Sequence, residues 1–235
     1  MKRNILYLIF GLFLLASCQQ EELPDTGTGY LAIADLSVEA PQVNVVSSRA
    51  EAEEESLTIE IVKEDGTPVQ KLTEAELADR IELAVGKYTL KVYSANYGTD
   101  AGWTNTDKGE AIYYAAQSFE VMAEQTAKVS ISVPMINFGV TFHFPEAYKE
   151  YFTTYSFTVT VNGREVTLQD GETAYFPYTA ETTSFAYVLN ATNTDEEPLE
   201  DKETYGGTEE GKSVAPGIIY IVTYELETRS FSITR

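Results

Sequence analysis

The chain has 235 residues and a formal net charge of −21, because 37 Asp and Glu residues outnumber 16 Lys and Arg residues. Nucleic acids and anionic lipid surfaces are bound through basic patches, so this charge balance argues against both as partners. Apolar residues make up 43% of the chain, which also holds 16 Tyr and 11 Phe. This content is ample for a folded core and argues against disorder.

The first seventeen residues have the form of a signal peptide. Two basic residues precede an apolar segment, 5–15, that is too short to cross a bilayer as a helix. The sequence Leu15-Ala16-Ser17-Cys18 resembles a bacterial lipobox, in which the cysteine receives lipid and becomes the first mature residue. Cys18 is the only cysteine, so it has no partner for an intrachain disulfide. We predict a lipoprotein signal peptide over 1–17; the alternative is an ordinary secretory signal with a coincidental cysteine.

Residues 18–28 are polar and acidic and are predicted to be a flexible tether. Lipoprotein cysteines carry several acyl chains, and two or more chains anchor a protein stably. The acidic residues after Cys18 are similar to the surface-export signal of Bacteroidetes lipoproteins, which implies an outward-facing protein anchored by lipid in the cell outer membrane. The alternative is a plain solvated linker. Removal of residues 1–17 would bring the net charge to −23, since two basic residues leave with them.

Alternating apolar residues predict strands after the tether. The segments 57–62, 86–92 and 127–133 each place their apolar residues on one face. The opening segment 30–38 alternates less regularly, which predicts a strand with a bulge or a break. Thr73-Glu-Ala-Glu76 has the form of a capping box and predicts a helical turn.

The second half of the chain has the same character. Phe157–Leu168 is predicted to be a hairpin, because Asn162-Gly163 supplies the two positive-φ positions of a type I′ turn. A short helix is expected over 145–152, a long acidic loop over 193–212 and a terminal hairpin over 218–233. Short strands separated by turns are typical of sandwiches. We therefore predict an all-β protein with two antiparallel β-sandwich domains, at residues 29–134 and 135–235.

Few residues are suited to catalysis or metal binding. The only histidine, His143, lies on the polar face of a predicted strand and is expected to be an exposed or edge residue. The sequence contains no phosphate-binding loop, zinc spacing or EF-hand pattern. The acidic loop 193–212 carries oxygen ligands of the kind that Ca²⁺ prefers, but dense acidic loops are usually only solvated. We expect no enzymatic activity, no cofactor and no metal site.

The loop over residues 93–105 is the strongest candidate for ligand binding. It sets Tyr97 and the only tryptophan, Trp103, among Gly, Asn and Asp residues. This composition suits an apolar stacking face surrounded by hydrogen-bonding groups. The alternative is that Trp103 closes the end of a sandwich.

Several stretches together point to a known family. They are the lipobox, the opening strand at Gly29-Tyr30-Leu31, the junction Ser47-Ser-Arg-Ala50, the turn Asp65-Gly-Thr67 and the strand Val85-Gly-Lys-Tyr-Thr-Leu90. In these stretches the chain resembles a family of uncharacterised Bacteroides lipoprotein domains, which is in turn similar to fimbrillins, the pilus subunits and adhesins of Bacteroidetes.

The resemblance implies a fold and a mode of assembly. Fimbrillins are lipidated precursors with two transthyretin-like β-sandwich domains, and they are cut after an arginine in an exposed loop. The matching bond here is Arg49–Ala50. Cleavage would free the first strands, 30–46, and a strand of another subunit would fill the groove by β-strand addition. The incoming strand would come from the C-terminal hairpin, 218–235.

These observations lead to two expected functions. The first is a surface-exposed lipoprotein that acts in cell adhesion or fimbrial assembly, with strand exchange after cleavage at Arg49. The second is a lipid-anchored surface protein that binds carbohydrate through Tyr97 and Trp103. Its partners would be the outer membrane, through the lipid, together with other fimbrial subunits or host and bacterial surface ligands.

Overall fold

The computed structural model describes residues 27–42, 56–207, 212–225 and 230–234. The strands are β1 (Thr28–Val38), β2 (Leu57–Lys63), β3 (Pro68–Thr73), β4 (Ile81–Ala84), β5 (Gly86–Ser94), β6 (Tyr114–Val121), β7 (Thr126–Val133), β8 (Phe138–His143), β9 (Phe152–Val161), β10 (Arg164–Leu168), β11 (Thr173–Phe176), β12 (Ser184–Asn193), β13 (Pro198–Gly206), β14 (Ile219–Glu225) and β15 (Ser230–Thr234). The described helical segments are α1 (Glu146–Lys149) and the 3₁₀ turns Glu74–Glu76 and Asp100–Gly102.

The first seven strands form two sheets that share one core. One sheet has the order β4-β1-β7 and the other the order β3-β2-β5-β6. Apolar residues from both sheets meet in a single cluster, which includes Leu31 of β1, Ile59 of β2 and Leu90 of β5, all with no exposed surface. Each of these positions lies on the apolar face that strand alternation predicts. The first half is therefore a β-sandwich.

The remaining strands form a second pair of sheets. Their orders are β10-β9-β12-β13 and β11-β8-β14-β15. The core between them is rich in aromatic rings; Phe142 stacks on Phe157 with centroids 4.2 Å apart and planes 6° apart. Such pairs contribute about 0.5–1.5 kcal/mol beyond the area they bury. The predicted all-β fold with two sandwiches is confirmed.

Two strand pairs depart from the predicted antiparallel arrangement. β1 runs parallel to β7, and β14 runs parallel to β8. Parallel neighbours need a long crossover between them, and both pairs join strands that are far apart in sequence. Side-chain alternation is the same in both kinds of ladder, so the strand pattern alone could not distinguish them.

Part of the segment predicted as a long acidic loop is a strand, β13. β12 and β13 pair from Ser184↔Gly206 to Thr192↔Pro198 across a short turn. The Asn193 side-chain oxygen accepts hydrogen bonds from the N–H groups of Asp195 and Glu197, at 3.0 and 2.7 Å. The loop prediction was wrong for residues 198–206, because the acidic residues of β13 lie on a sheet-edge strand, where charges are common and deter aggregation; residues 208–211 lie outside the described part of the chain.

Other local predictions agree with the structure. Asn162 and Gly163 both have positive φ in the β9–β10 turn, and Thr73 and Glu76 form a capping box. The predicted helix over 145–152 is reduced to the four residues of α1. The division into domains at residue 134 stays a prediction; Met135 packs into the core of the first sandwich.

Candidate functional site

The first strand occupies the centre of its sheet. β1 pairs antiparallel with β4 from Thr28↔Ala84 to Leu31↔Ile81, and parallel with β7 from Tyr30↔Thr126 to Val38↔Val133. The β7 register shifts between Ile33 and Asp35, which agrees with the predicted bulge. Both edges of β1 are thus hydrogen-bonded, so its removal would leave unpaired backbone groups on β4 and β7.

One glycine fits β1 closely against the β6–β7 turn. A Cβ on Gly29 would lie 2.2 Å from the Met122 carbonyl oxygen and 2.9 Å from that of Gln125. The backbone bond from Tyr30 N–H to the Gln125 carbonyl oxygen, 2.8 Å, follows directly. Gly29 therefore allows the start of β1 to pack closely against the β6–β7 turn.

The residues after β1 continue into the second sandwich. The Glu39 N–H donates to the Val133 carbonyl oxygen at 3.0 Å. Gln42 then forms a parallel bridge with Ile218, with its N–H bonded to the Gly217 carbonyl oxygen at 2.9 Å. Residues 28–42 accordingly form backbone hydrogen bonds with both halves of the chain.

Several predicted features lie outside the described residues. They are the signal peptide 1–17, Cys18, the tether up to residue 26, the strand residues 43–46, and Arg49 and Ala50. Lipidation at Cys18 and processing at Arg49–Ala50 stay predictions. The end of the predicted tether does belong to a strand, because β1 begins at Thr28.

Trp103 packs against the second sandwich. The guanidinium carbon of Arg164, in β10, lies 5.3 Å from the Trp103 ring centroid and 4.9 Å from that of Phe176. Gly109 abuts the indole, because a Cβ there would come within 2.7 Å of the Trp103 Cζ3 atom. The ring is half-buried between these neighbours and joins the two halves of the chain.

Arg164 fixes this contact by hydrogen bonds. Its Nε donates to the Thr104 carbonyl oxygen at 3.0 Å and its Nη1 to that of Tyr175 at 2.7 Å, while Nη2 donates to the Asp107 carbonyl oxygen. Burial lowers the pKa of Arg164, and the nearby Asp107 opposes this shift. We call Trp103, Arg164 and the loop 103–110 the interdomain latch.

Further contacts support the interdomain latch. The Tyr175 N–H donates to the Lys108 carbonyl oxygen at 2.7 Å, and the Lys108 ammonium pairs with Glu172. The hydrogen bond from Lys108 and one from the Gln169 N–H lower the pKa of Glu172. The loop that the sequence marked for ligand binding thus makes several structural contacts at its Trp103 end.

Tyr97 has a different environment from Trp103. It is 43% exposed, and its ring lies 4.8 Å from that of Tyr114 and 5.3 Å from that of Tyr93, measured between centroids. Tyr93 and Tyr114 are cross-strand partners on the outer face of the β3-β2-β5-β6 sheet. We call these three residues the tyrosine cluster. Sequence reasoning missed Tyr93 and Tyr114, although alternation with buried Val92 indicates that Tyr93 points outward.

His143 lies beside the Asp170 carboxylate, which also pairs with Lys149. His143 is exposed, as predicted, and its Nδ1 lies 3.3 Å from Asp170. Lys149 pairs with the same carboxylate at 2.8 Å. Within residues 27–42, 56–207, 212–225 and 230–234, no group of three or more His, Cys, Asp or Glu is arranged to hold a metal ion. None of the helices in these ranges is long and apolar enough to span a membrane.

The chain is similar to several solved structures. One is a proposed adhesin from Bacteroides ovatus (11% identity, TM-score 0.45, 91% of this chain and 94% of that chain covered). Another is a fimbrial assembly protein from Parabacteroides distasonis (9%, TM-score 0.38, 88% and 98%), and a third is a proposed polysaccharide-binding protein from Bacteroides thetaiotaomicron (12%, TM-score 0.41, 85% and 92%). The comparison with curated proteins found no match.

A family described as a domain of unknown function, DUF4493, matches residues 27–234, which is most of the chain. The chain therefore belongs to this family of uncharacterised domains, as its opening strand and turn motifs predict.

Proposed function

We propose that the protein is a non-enzymatic surface lipoprotein that acts in cell adhesion or fimbrial assembly by exchange of β1. The observation that carries this proposal is the position of β1, the first described strand, between β4 and β7. Neither of these neighbours is adjacent to β1 along the chain, so backbone hydrogen bonds and packing hold β1 in the sheet. Only the segment 43–56 connects residues 28–42 to β2. After one cut at Arg49–Ala50, residues 28–42 would be held to the rest of the protein by noncovalent contacts alone.

The groove left by β1 would accept another extended segment. The backbone groups of β4 and β7 would be available along its two edges. At its base would be the apolar space that the fully buried Leu31 side chain now fills. Burial of one leucine contributes about 1.5–3 kcal/mol. Strand addition of this kind takes its affinity from backbone hydrogen bonds and its register from alternate side chains. The C-terminal hairpin β14–β15 is the proposed donor, because β15 forms the edge of its sheet.

The mature N-terminus tests strand exchange. Mass spectrometry of the protein from its native cells should find chains that begin at Ala50 in any assembled form. Arg49→Ala should abolish these chains and the assembly, whereas Arg80→Ala, at an exposed arginine between the 3₁₀ turn Glu74–Glu76 and β4, should change neither. Chains that all begin at lipidated Cys18, in assembled and unassembled protein alike, would contradict the cleavage model.

The lipid anchor is a separate part of the proposal. It is supported by the single cysteine in a lipobox-like sequence and by the acidic residues that follow it. Metabolic labelling with a palmitate analogue should mark the wild type and not Cys18→Ala. Protease added to intact cells should degrade the labelled protein if it faces outward. Label retained by Cys18→Ala would contradict lipidation at this residue, and full protection from protease would contradict the outward orientation.

The second candidate function is carbohydrate binding at the cell surface. The observation that favours it is the tyrosine cluster, in which an exposed Tyr97 extends an aromatic surface that includes Tyr93 and Tyr114. Trp103 is assigned to the interdomain latch and not to the ligand. If immobilised glycans retain the wild-type protein but not Tyr97→Ala, the result would support this function.

A further inference from the structure

We propose that the outer face of the β3-β2-β5-β6 sheet, with the tyrosine cluster and Glu60 and Lys91, is a binding surface for uncharged glycans. This inference rests on the second candidate function and names its site and ligand class. It is independent of strand exchange, because β1 belongs to the opposite sheet of the sandwich.

The aromatic part of this surface is continuous. Tyr97 and Tyr114 stack with planes 12° apart, and Tyr97 also contacts Tyr93 at a plane angle of 40°. Tyr93 and Tyr114 are only partly exposed, so Tyr97 is the ring most open to solvent. Aromatic rings offer apolar area with negative faces, which attract the weakly positive C–H groups that line one side of a pyranose ring. Tyrosine adds a hydroxyl that can bond to sugar hydroxyls.

A set of hydrogen bonds fixes the turn that presents Tyr97. The hydroxyl of buried Ser94 accepts from the Tyr113 N–H at 3.0 Å and bonds to the Asn96 Oδ1 atom at 2.5 Å. The Asn96 Nδ2 group donates to the Ala111 carbonyl oxygen at 2.9 Å and to Glu110 at 3.1 Å. The Tyr97 N–H closes the turn on the Ser94 carbonyl oxygen at 3.0 Å. A ring held in place before binding loses less conformational entropy when the ligand arrives.

Polar side chains lie in the next row of the same face. Glu60 is the register partner of both Lys71 in β3 and Lys91 in β5. The Tyr93 hydroxyl reaches Glu60 at 3.4 Å, and the Lys71 ammonium lies 5.7 Å from the Tyr93 ring centroid. A carboxylate and an ammonium beside aromatic rings provide an acceptor and a donor for sugar hydroxyls. Ligand sites commonly combine apolar surface with a few such polar groups.

The charges of this surface favour an uncharged ligand. Lys71 and Lys91 are balanced by Glu60 and by Glu110 at the base of the turn. The whole chain carries a net charge of −21, which repels an acidic polymer over distances up to the screening length. A neutral glycan meets no such repulsion and can still bond to Glu60 and Lys91.

Affinity electrophoresis of the full chain in native gels tests this inference. The gels would contain one neutral polysaccharide each, mannan, amylopectin or β-glucan, or an acidic one, polygalacturonate or hyaluronan. We expect at least one neutral polysaccharide to retard the wild type. Tyr97→Ala should weaken this binding by about tenfold, and Glu60→Gln by a smaller factor. Tyr151→Ala, at an exposed tyrosine of the second sandwich, is the matched control and should bind as the wild type does. Circular dichroism of each variant would establish that it is folded.

The possible results separate this inference from the functions it accompanies. Retardation by none of the polysaccharides, neutral or acidic, would overturn the inference and the carbohydrate-binding function together, and would leave strand exchange standing. Retardation that Tyr97→Ala and Glu60→Gln leave unchanged would overturn only the site. Retardation by the acidic polysaccharides alone would overturn the ligand class.

Discussion

At the scale of single residues, Arg164 of β10 links the second half of the chain to the loop 103–110 of the first. Its guanidinium donates to the carbonyl oxygens of Thr104, Tyr175 and Asp107 and lies near the rings of Trp103 and Phe176. A planar fork with five N–H donors suits this arrangement, and the compact ammonium of lysine does not.

Arg164→Ala should lower the free energy of unfolding by about 2–3 kcal/mol, because carbonyl groups lose charged donors and Trp103 loses its neighbour. Urea denaturation followed by tryptophan fluorescence would measure the change. Arg164→Lys should restore less than half of the free energy of unfolding that Arg164→Ala loses. Arg80→Ala, at an exposed arginine, should stay within about 0.5 kcal/mol of the wild type. Equal effects of Arg164→Ala and Arg80→Ala would contradict the structural role of Arg164.

Two glycines with similar backbones offer a second test at this scale. Gly109 and Gly98 have φ values of 70° and 81°, but only Gly109 has a neighbour, the Trp103 ring, within contact of an added Cβ. Gly98→Ala should cost about 1 kcal/mol, from the left-handed backbone alone. Gly109→Ala should cost at least 1 kcal/mol more, because the indole must move. Equal losses of thermal stability in the two variants would show that the ring accommodates the methyl group.

At the scale of elements, β1 is the first described strand and is hydrogen-bonded to a neighbouring strand on each side. Leu31, in the first half of the strand, is fully buried, whereas Ser37 near its end is exposed. The strand pattern and the bulge were predictable from residues 30–38. The partners β4 and β7 were not, since they lie about 50 and 100 positions away in the chain and any apolar strand could have taken their places.

Leu31→Ala should lower the free energy of unfolding by about 2–5 kcal/mol, the usual range for a leucine replaced in a core. It should also speed hydrogen exchange at the β7 amides that pair with β1. Ser37→Ala on the same strand is the control and should alter neither quantity measurably. Unchanged exchange at β7 in Leu31→Ala would contradict the view that Leu31 holds β1 in its groove.

At the scale of the whole molecule, the surplus of acidic residues makes stability depend on pH. Burial raises the pKa of Asp170, but hydrogen bonds from Lys149 and from the Phe144 N–H outweigh it and hold the pKa below its usual value. A lowered pKa in the folded state means that this stabilisation is present above the unfolded pKa of about 3.9 and is lost as the pH falls through the folded value.

Asp170→Asn should therefore lower the urea midpoint at neutral pH, and its difference from the wild type should shrink as the pH falls from about 5 towards 2. Asp79→Asn changes the net charge equally at an exposed position and serves as the control. Because protonation also relieves repulsion within an acidic chain, only the difference between the variants is informative. If the urea midpoints of Asp170→Asn and the wild type differed by a constant amount across this pH range, the lowered pKa of Asp170 would be contradicted.

The sequence by itself determined most of the strands, though not β13, together with the tight turn at Asn162-Gly163, the capping box and the all-β class. These depend on side-chain alternation and backbone preferences, which act between near neighbours. The lipidation site at Cys18 and the cleavage site at Arg49 are also sequence predictions, and they lie outside the described residues.

Only the tertiary structure decided which strands pair and which side chains meet. Trp103 and Tyr97 are six positions apart and were treated together, but Arg164, some 60 residues further on, draws Trp103 into the interdomain latch. Tyr97 joins Tyr93 and Tyr114 because β5 and β6 pair in one register. Contacts of this kind form between segments that are far apart in the chain, so the local pattern of residues around each one does not reveal its partner.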